Sequence, residues 1–279
     1  EHRLSPASNH PIFSALNCIA NLRYHHIQPV LREVKFTGMD EISTGGLLGG
    51  SVVYRQLRGG HRSGFEPVLL AATVPARPGE RVLEAGTGAG AALLCLGARV
   101  PEITCIGVER DPKLAQLANE NFAANKFHTI SAIQADATAL PFAPDTFHHV
   151  LANPPWFGAR NTPSPDARRA LAHQAKAGLL QGWIAELVRV LRGRGSISLI
   201  LPASSFAEAA AALRARHCGG ITLIPLWPRA GMAAKMIILT ARKHSKGPDA
   251  VHPGLILHDE TGITPAAEAV LRGDGAALA

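Results

Sequence analysis

From Glu80 onward, short apolar runs alternate with amphipathic helical stretches, and this alternation constrains the fold more than any other feature of the sequence. Such an alternation is typical of strand–helix units arranged around a parallel sheet. It predicts strands at residues 81–85, 103–108, 130–134, 147–152, 196–201, 221–225 and 235–241, of which the last two pair. It predicts helices at residues 89–99, 112–125, 179–191 and 207–216. The chain is therefore expected to adopt an α/β fold.

The segment before this pattern has a different character. Residues 1–38 mix prolines with scattered apolar residues and show no sustained helix or strand periodicity, so we predict a poorly ordered N-terminal arm there. Residues 39–279 are expected to form one large domain, because a chain of 279 residues is short for two full catalytic domains.

The composition disfavours several classes of protein. Hydrophobic residues make up 47% of the chain and charged residues 18%, which is ordinary globular usage. No apolar run approaches the roughly 18 residues that a membrane helix needs. No secretory signal is visible, so we expect a cytoplasmic protein without a membrane partner. Neither a metal site nor a disulfide framework is expected, since the cysteines are far apart: Cys18, Cys95, Cys105 and Cys218.

The net charge of +7 is concentrated in one part of the chain. Residues 153–250 hold 14 Lys and Arg but only 4 Asp and Glu, whereas residues 1–152 hold 13 of each sign. A single-sign excess of this kind attracts a polyanion such as nucleic acid. A solvated basic surface without a partner explains the same count.

A glycine-rich segment, EAGTGAG at residues 84–90, lies between the first predicted strand and the first predicted helix. Glycines there let the backbone approach a bound nucleotide, and Glu109, at the end of the second strand, can accept hydrogen bonds from both ribose hydroxyls. The segment also fits the dinucleotide pattern G-x-G-x-x-[GA], so an NAD-dependent enzyme is an alternative. Glu84 favours S-adenosylmethionine, because a carboxylate can meet its cationic methionine end; a structural, helix-capping role is the alternative for this residue.

Asp136 follows the third predicted strand, at the edge of the sheet where such folds bind ligands. Its carboxylate can accept a hydrogen bond from an adenine amino group. An Asp at this place is also a common helix cap, so the position has two interpretations.

The residues Asn153, Pro154, Pro155 and Trp156 directly follow the fourth predicted strand. They suit methyl transfer to an amino group whose lone pair is delocalised into a purine or an amide. The Asn153 side-chain oxygen and the Pro154 carbonyl can accept the two N–H groups and direct the lone pair toward a sulfonium methyl. The prolines stiffen the turn, and Trp156 offers a flat face for a planar target. We therefore predict catalytic roles for all four residues.

The segments LEAGTGAG, GVERDP, QADA, NPPW, NTPSPDA and LWPRAG resemble class I S-adenosylmethionine-dependent methyltransferases of the small methyltransferase domain type. From about residue 45 the chain is most similar to the group that methylates N6 of an anticodon-loop adenine in valine tRNA. The resemblance implies a Rossmann-like fold whose seven-stranded sheet is mostly parallel, with an antiparallel last strand and helices on both faces. It also implies S-adenosyl-L-methionine as the cofactor and a methyltransferase domain at residues 39–279.

The resemblance extends to individual site residues. Phe65 belongs to HRSGFEPVLLA, which is similar to the segment that covers the methionine end of the cofactor. Glu66 stands where relatives usually have Asp, and Trp156 where Tyr or Phe is commoner; neither change removes the chemistry. The target amine is assigned to residues 153–156. The expected cofactor contacts are Phe65, Glu84, Gly86, Thr87, Gly88, Gly90, Glu109, Asp136 and Asn153.

Two basic stretches, 158–169 and 228–246, hold much of the excess positive charge and are expected to flank the target pocket. There they would hold RNA by its phosphates while a looped-out base enters the site. The candidate phosphate contacts are Arg160, Arg168, Arg169, Arg229, Lys235, Arg242 and Lys243.

The sequence thus predicts an S-adenosylmethionine-dependent methyltransferase that acts on an exocyclic amine, adenine N6 in tRNA, which it binds through residues 153–250. One alternative is a protein glutamine N5-methyltransferase, because the amide nitrogen of glutamine is electronically similar. The basic segment favours RNA over that peptide. The other alternative, an NAD-dependent oxidoreductase, leaves NPPW unexplained.

Overall fold

The computed structural model describes residues 42–58, 64–155 and 167–274, with only the backbone for residues 167–177. The predicted N-terminal arm lies outside these ranges, as do Trp156, Arg160 and the side chains of Arg168 and Arg169.

The strands of the described residues are β1 (Ile42–Leu47), β2 (Val52–Leu57), β3 (Arg81–Ala85), β4 (Thr104–Glu109), β5 (Ile130–Gln134), β6 (Phe147–Ala152), β7 (Leu191–Pro202), β8 (Cys218–Trp227), β9 (Met236–Lys243), β10 (Ala250–Val251) and β11 (Leu255–Ile256). The helices are α1 (Glu66–Ala72), α2 (Ala91–Arg99), α3 (Pro112–Ala124), α4 (Ala167–Val190), α5 (Phe206–Ala215) and α6 (Pro265–Arg272).

The main sheet has the order β10-β8-β9-β7-β6-β3-β4-β5, and β11 also pairs with β8. Strands β3 to β7 are parallel, whereas β9 is antiparallel to both β7 and β8. This confirms the predicted α/β class, including the antiparallel last strand of the predicted seven. The described residues give this sheet nine strands, because β10 and β11, of two residues each, extend its β8 edge.

Helices cover both faces of the sheet. The side chains of the central strands are therefore buried on each face, which explains why these strands are continuous apolar runs in the sequence. One face carries α1, α2, α3 and α6, with fully buried side chains such as Leu94 and Phe122. The other face carries α4 and α5, whose Leu187 and Leu213 are fully buried. Two hydrophobic clusters, one on each side, therefore hold the strand ends in place. None of the described helices is long and apolar enough to cross a membrane.

The sequence pattern did not predict the hairpin formed by β1 and β2, which lies outside the main sheet. Two asparagines, one in the last turn of α3 and one directly after it, attach it to the domain. Asn125 bonds both the N–H and the C=O of Val53, and Asn121 does the same for Arg55. These side-chain amides thus take the place of a neighbouring strand along β2.

Candidate active site

The loops after β3, β4, β5 and β6 open at one edge of the sheet, which we call the carboxyl edge. Ala85, the last residue of β3, pairs with Val108 of β4 on one side and with Ala152 of β6 on the other. Glu109 of β4 pairs with Gln134 of β5. Because paired strands lie about 4.8 Å apart, the register brings the predicted cofactor residues and the Asn153 turn together.

The three glycines of the loop after β3 all have positive φ, at +70° for Gly86, +56° for Gly88 and +88° for Gly90. A Cβ on Gly86 would lie 2.7 Å from the Trp183 ring, and one on Gly90 would lie 2.6 Å from the Phe122 ring. A Cβ on Gly88 would meet nothing within 4 Å. Packing therefore requires two of these glycines, while Gly88 is the one with open space for a ligand.

Glu84 lies in β3 just before this loop, and its side chain is buried. Burial raises the pKa of its carboxyl to about 8, and the nearby negative charge of Glu109 adds to the rise. Hydrogen bonds from the Thr87 hydroxyl, at 2.6 Å, and from the Leu93 backbone act in the opposite direction. A cation beside a buried carboxyl stabilises its ionised form. The ammonium group of S-adenosylmethionine is a cation that fits this position.

Thr87 has a structural task at this position. Its side chain is buried, and its hydroxyl donates a hydrogen bond to Glu84. Its methyl group packs against Gly107, where a Cβ would lie only 2.6 Å from that methyl. The hydroxyl thus orients the Glu84 carboxyl from within the protein, and a direct cofactor contact by Thr87 stays a prediction.

Glu109 ends β4, and both of its carboxylate oxygens face the loop region. One accepts from the Gly88 N–H at 2.9 Å, and the other accepts from the Asp111 N–H at 2.9 Å. The bond to Gly88 fixes the open glycine beside the carboxylate. Each oxygen retains a lone pair, so the group fits the two ribose hydroxyls of the cofactor.

Asp136 lies past the end of β5, next to Glu109, whose C=O accepts from the Ala135 N–H at 3.0 Å. One Asp136 oxygen accepts from both the N–H and the hydroxyl of Thr138, each at 2.7 Å, and these bonds lower the pKa of the carboxyl. The side chain is exposed. No helix begins here among the described residues, since the next element is β6, so the helix-cap interpretation is wrong and the bonds to Thr138 form a local turn. The second oxygen of Asp136 is available for an adenine amino group.

The turn after β6 begins at Asn153, one residue beyond the Ala152–Ala85 pair. Pro154 is buried, Asn153 is half-buried and Pro155 is exposed. No hydrogen bond engages the Asn153 side chain within the described ranges, so its amide oxygen is available to an incoming N–H. Asn153 and Gly86 occupy neighbouring strand ends, which places the predicted amine acceptors beside the glycine loop.

Phe65 precedes α1, and the residue is 37% exposed. The ring of His258, which follows β11, lies 6.2 Å from it between centroids, within the range of aromatic contacts. The C-terminal segment therefore contacts the residue predicted to cover the cofactor. This contact was not predicted, because the two residues are almost 200 positions apart in the chain.

The prediction that the basic residues flank the target pocket is wrong for Arg242 and Lys243. Since β9 is antiparallel, its Met236 pairs with Pro202 at the carboxyl edge, and Arg242 pairs with Ser196 six residues away. At about 3.3 Å per residue this is about 20 Å. Lys243 is also engaged, because its ammonium group donates to Asp145 at 2.9 Å and to the Leu191 carbonyl at 2.6 Å.

Two other predicted phosphate contacts, Arg229 and Lys235, lie in the loop between β8 and β9 and are exposed at the carboxyl edge.

Asn121 supports the glycine loop, which the sequence pattern did not predict. Asn121 is fully buried in α3 and donates to the Ala89 carbonyl at 2.9 Å in addition to its bonds with β2. It thereby joins the hairpin to the loop. The i,i+4 spacing of Asn121 and Asn125 on one helix face was the available signal.

Among the described residues, no group of three or more His, Cys, Asp and Glu side chains is arranged so that it could hold a metal ion. The three cysteines that the structure describes are buried thiols: Cys95, Cys105 and Cys218.

Comparison with known proteins agrees with this geometry. Residues 82–195 match a family described as a methyltransferase domain. The chain is 30% identical over 203 residues to a tRNA1(Val) (adenine(37)-N6)-methyltransferase of Actinobacillus succinogenes, covering 71% of this chain and 82% of that protein. A protein of the same name from Aeromonas salmonicida is 30% identical over 63% of this chain and 74% of its own length. The chain belongs to the tRNA1(Val) (adenine(37)-N6)-methyltransferase family.

The chain is also similar to a solved structure, described as a predicted O-methyltransferase from Agrobacterium tumefaciens. The TM-score is 0.63 at 27% identity, over 75% of this chain and 97% of that one. The enzyme is thus an S-adenosylmethionine-dependent methyltransferase with a class I fold. The buried Glu84, the open Gly88 and the Glu109 carboxylate suit that cofactor, and the NAD-dependent alternative is set aside.

Proposed function

We propose that this methyltransferase modifies N6 of an adenine in tRNA, as the names of its relatives state for adenine 37 of tRNA1(Val). The observation that carries the proposal is the position of the Asn153 turn, one residue past a strand pair shared with the glycine loop. We assign this activity to a domain at residues 39–279. A cytoplasmic location follows as a prediction, because tRNA is the substrate.

The cofactor, when bound, supplies a methyl group on a positively charged sulfur. In our proposal, Glu84 neutralises the ammonium at its methionine end, Glu109 accepts from the ribose and Asp136 accepts from the adenine amino group. Phe65 covers the methionine end from the side of α1. Gly88 permits the approach, because a side chain there would occupy the open space.

The target amine is held by two acceptors on one turn. The Asn153 side-chain oxygen and the Pro154 carbonyl accept its two N–H groups, which leaves the nitrogen lone pair directed at the methyl. No strong base is required, since the nitrogen loses its proton after the methyl has been transferred, and alignment supplies most of the rate enhancement.

Methyl transfer to an unmodified transcript of valine tRNA tests the proposal, with nucleoside mass spectrometry as the readout. We expect N6-methyladenosine to appear with the wild-type transcript and to be absent when adenine 37 is replaced by guanine. A release-factor peptide containing glutamine serves as the competing substrate. Methylation of the peptide without methylation of the transcript would establish the glutamine alternative.

A further inference from the structure

Exposed apolar side chains occur along the carboxyl edge, on the part of the sheet that runs from β7 to β11. Seven large hydrophobic side chains are exposed among the described residues. Apart from Phe65, four of them end or follow strands that finish at this edge, and their exposed fractions are 38 to 46%. We call this group the carboxyl-edge rim, and its members are Phe206, Met232, Ile256 and Ile263.

The order of the strands places Phe206 and Met232 nearest to the turn at Asn153, whereas Ile256 and Ile263 lie beyond β8. β7 is the neighbour of β6, and Phe206 starts α5 after a single 3₁₀ turn that follows the end of β7. Met232 lies in the loop between β8 and β9. That loop is bonded to the 3₁₀ turn, because the Ala203 N–H donates to the Lys235 carbonyl at 2.9 Å. Phe206 and Met232 thus lie about one to three strand spacings, or 5 to 14 Å, from β6.

Cations lie among these apolar groups. Lys235 is exposed, and so is Arg229, which donates to the Asp259 carbonyl at 3.0 Å. The carboxylate of Asp259 is engaged by the backbone and hydroxyl of Thr261 and by the Gly262 N–H. The carboxylates of Asp259 and Glu260 offset the charge of Arg229, so Lys235 is the cation that remains for a phosphate. Exposed apolar groups with a cation near them match the bases and phosphates of an unpaired nucleic acid strand.

We propose that the carboxyl-edge rim binds the unpaired nucleotides next to the target adenine, with Phe206 as the platform on which a neighbouring base stacks. This inference rests on the proposed function and adds a substrate contact outside the residues that hold cofactor and amine. Met232 contacts the same strand through its flexible thioether side chain. Lys235 holds a phosphate of that strand. A second copy of the chain fits less well, because a symmetric contact would bring the cations of two rims together.

The test compares three substitutions at one position, with the unmodified valine tRNA transcript as substrate. Base–aromatic stacking contributes about 1–3 kcal/mol per base, so Phe206→Ala is expected to raise KM for the transcript roughly 5- to 100-fold. The value of kcat and the Kd for S-adenosylhomocysteine stay within about two-fold of wild type. Phe206→Tyr keeps the ring and restores KM, whereas Phe206→Leu keeps only apolar area and does not.

The matched control is Val53→Ala, since Val53 is 41% exposed on β2 and lies outside the rim; it leaves KM unchanged. An unchanged KM in Phe206→Ala, full activity of Phe206→Leu, or a parallel loss of cofactor affinity would each overturn the proposal. So would a dimer in sedimentation that Phe206→Ala dissociates without any change in KM. If the wild-type enzyme methylates the peptide and not the transcript, the proposed function fails together with the rim.

Discussion

At the scale of single residues, the site combines groups that pattern reasoning could identify with contacts that it could not. Glu84, Glu109 and Asn153 were predicted because each follows or ends an apolar run at a fixed place relative to the glycines. The sequence did not show which glycines are required by packing and which one leaves space for a ligand. That difference depends on the rings of Trp183 and Phe122, which come from distant parts of the chain. Local spacing shows that a loop needs glycine, and only packing shows which glycine faces the ligand.

Asn153 is the first residue to test. Asn153→Ala removes one of the two acceptors for the amine, and loss of one such preorganised group lowers kcat about 100- to 1000-fold. Cofactor affinity is expected to stay within about three-fold, since the alanine leaves the glycine loop intact. Single-turnover methyl transfer and calorimetric titration with S-adenosylhomocysteine measure the two quantities. Equal losses in both would mean that Asn153 is architectural.

The Glu84 carboxyl gives a pH-dependent prediction for the ligand-free enzyme. Its pKa is raised from 4.5 to about 8 in the folded protein. Between these values the folded state holds a proton that the unfolded state releases, so this group lowers stability as pH rises through that window. Glu84→Gln is therefore expected to unfold at a higher temperature than wild type at pH 8.5, with a smaller difference at pH 5.

The same substitution is expected to weaken cofactor binding about 10- to 100-fold, because a charge-assisted hydrogen bond contributes roughly 1.5–3 kcal/mol. Thermal unfolding across pH and titration with S-adenosylhomocysteine provide the two readouts. A Glu84→Gln enzyme with unchanged cofactor affinity would assign the carboxyl to helix capping alone.

At the scale of elements, the strands were predictable and the hairpin was not. Strands β3 to β9 are apolar runs whose type is evident from local sequence. The hairpin carries glycines at residues 45 and 46 and depends on Asn121 and Asn125 at the end of α3, about 70 residues away in sequence. Helix α2 begins at Ala91, later than the predicted residue 89, because Gly90 is in the left-handed region. Long-range hydrogen bonds and backbone geometry account for these differences.

The two asparagines should contribute unequally to stability. Asn121→Ala leaves the buried Ala89 carbonyl and the Arg55 backbone groups without partners, which costs about 2–4 kcal/mol. Asn125→Ala is expected to cost less, about 1 kcal/mol, because Asn125 is only half-buried and its partner Val53 is exposed, so water can reach the groups left unpaired. Urea unfolding of both variants checks this order. Equal costs would show that the hairpin is held by its apolar contacts instead.

At the scale of the whole molecule, fewer basic side chains are available to RNA than the number of Lys and Arg in the sequence suggests. Several basic residues of the segment 153–250 are paired within the fold, which sequence counting cannot detect. Arg189 pairs with Glu186, Arg192 lies 3.8 Å from Glu80, and Arg214 pairs with Asp249. The antiparallel direction of β9 then separates Lys235 from Arg242. The positive charge that can contact substrate at the carboxyl edge is therefore smaller than the net count.

This separation predicts different effects for two exposed cations. Lys235→Gln is expected to weaken tRNA binding and to reduce the slope of log affinity against log salt by about one phosphate contact. Arg242→Gln removes the same charge at the opposite edge and is expected to leave both quantities unchanged. Filter binding of the valine tRNA transcript between 50 and 200 mM salt, about the range over which such slopes are measured, distinguishes the two. Equal effects would mean that RNA covers both edges of the sheet.

The crystal structure of the enzyme with S-adenosylhomocysteine tests the central claim most directly. The account predicts that the ribose hydroxyls lie on Glu109, that the amino group of the ligand lies beside Glu84, and that the sulfur faces the Asn153 oxygen and the Pro154 carbonyl. A ligand whose sulfur is turned away from that pair of oxygens, or one bound at another edge of the sheet, would contradict it.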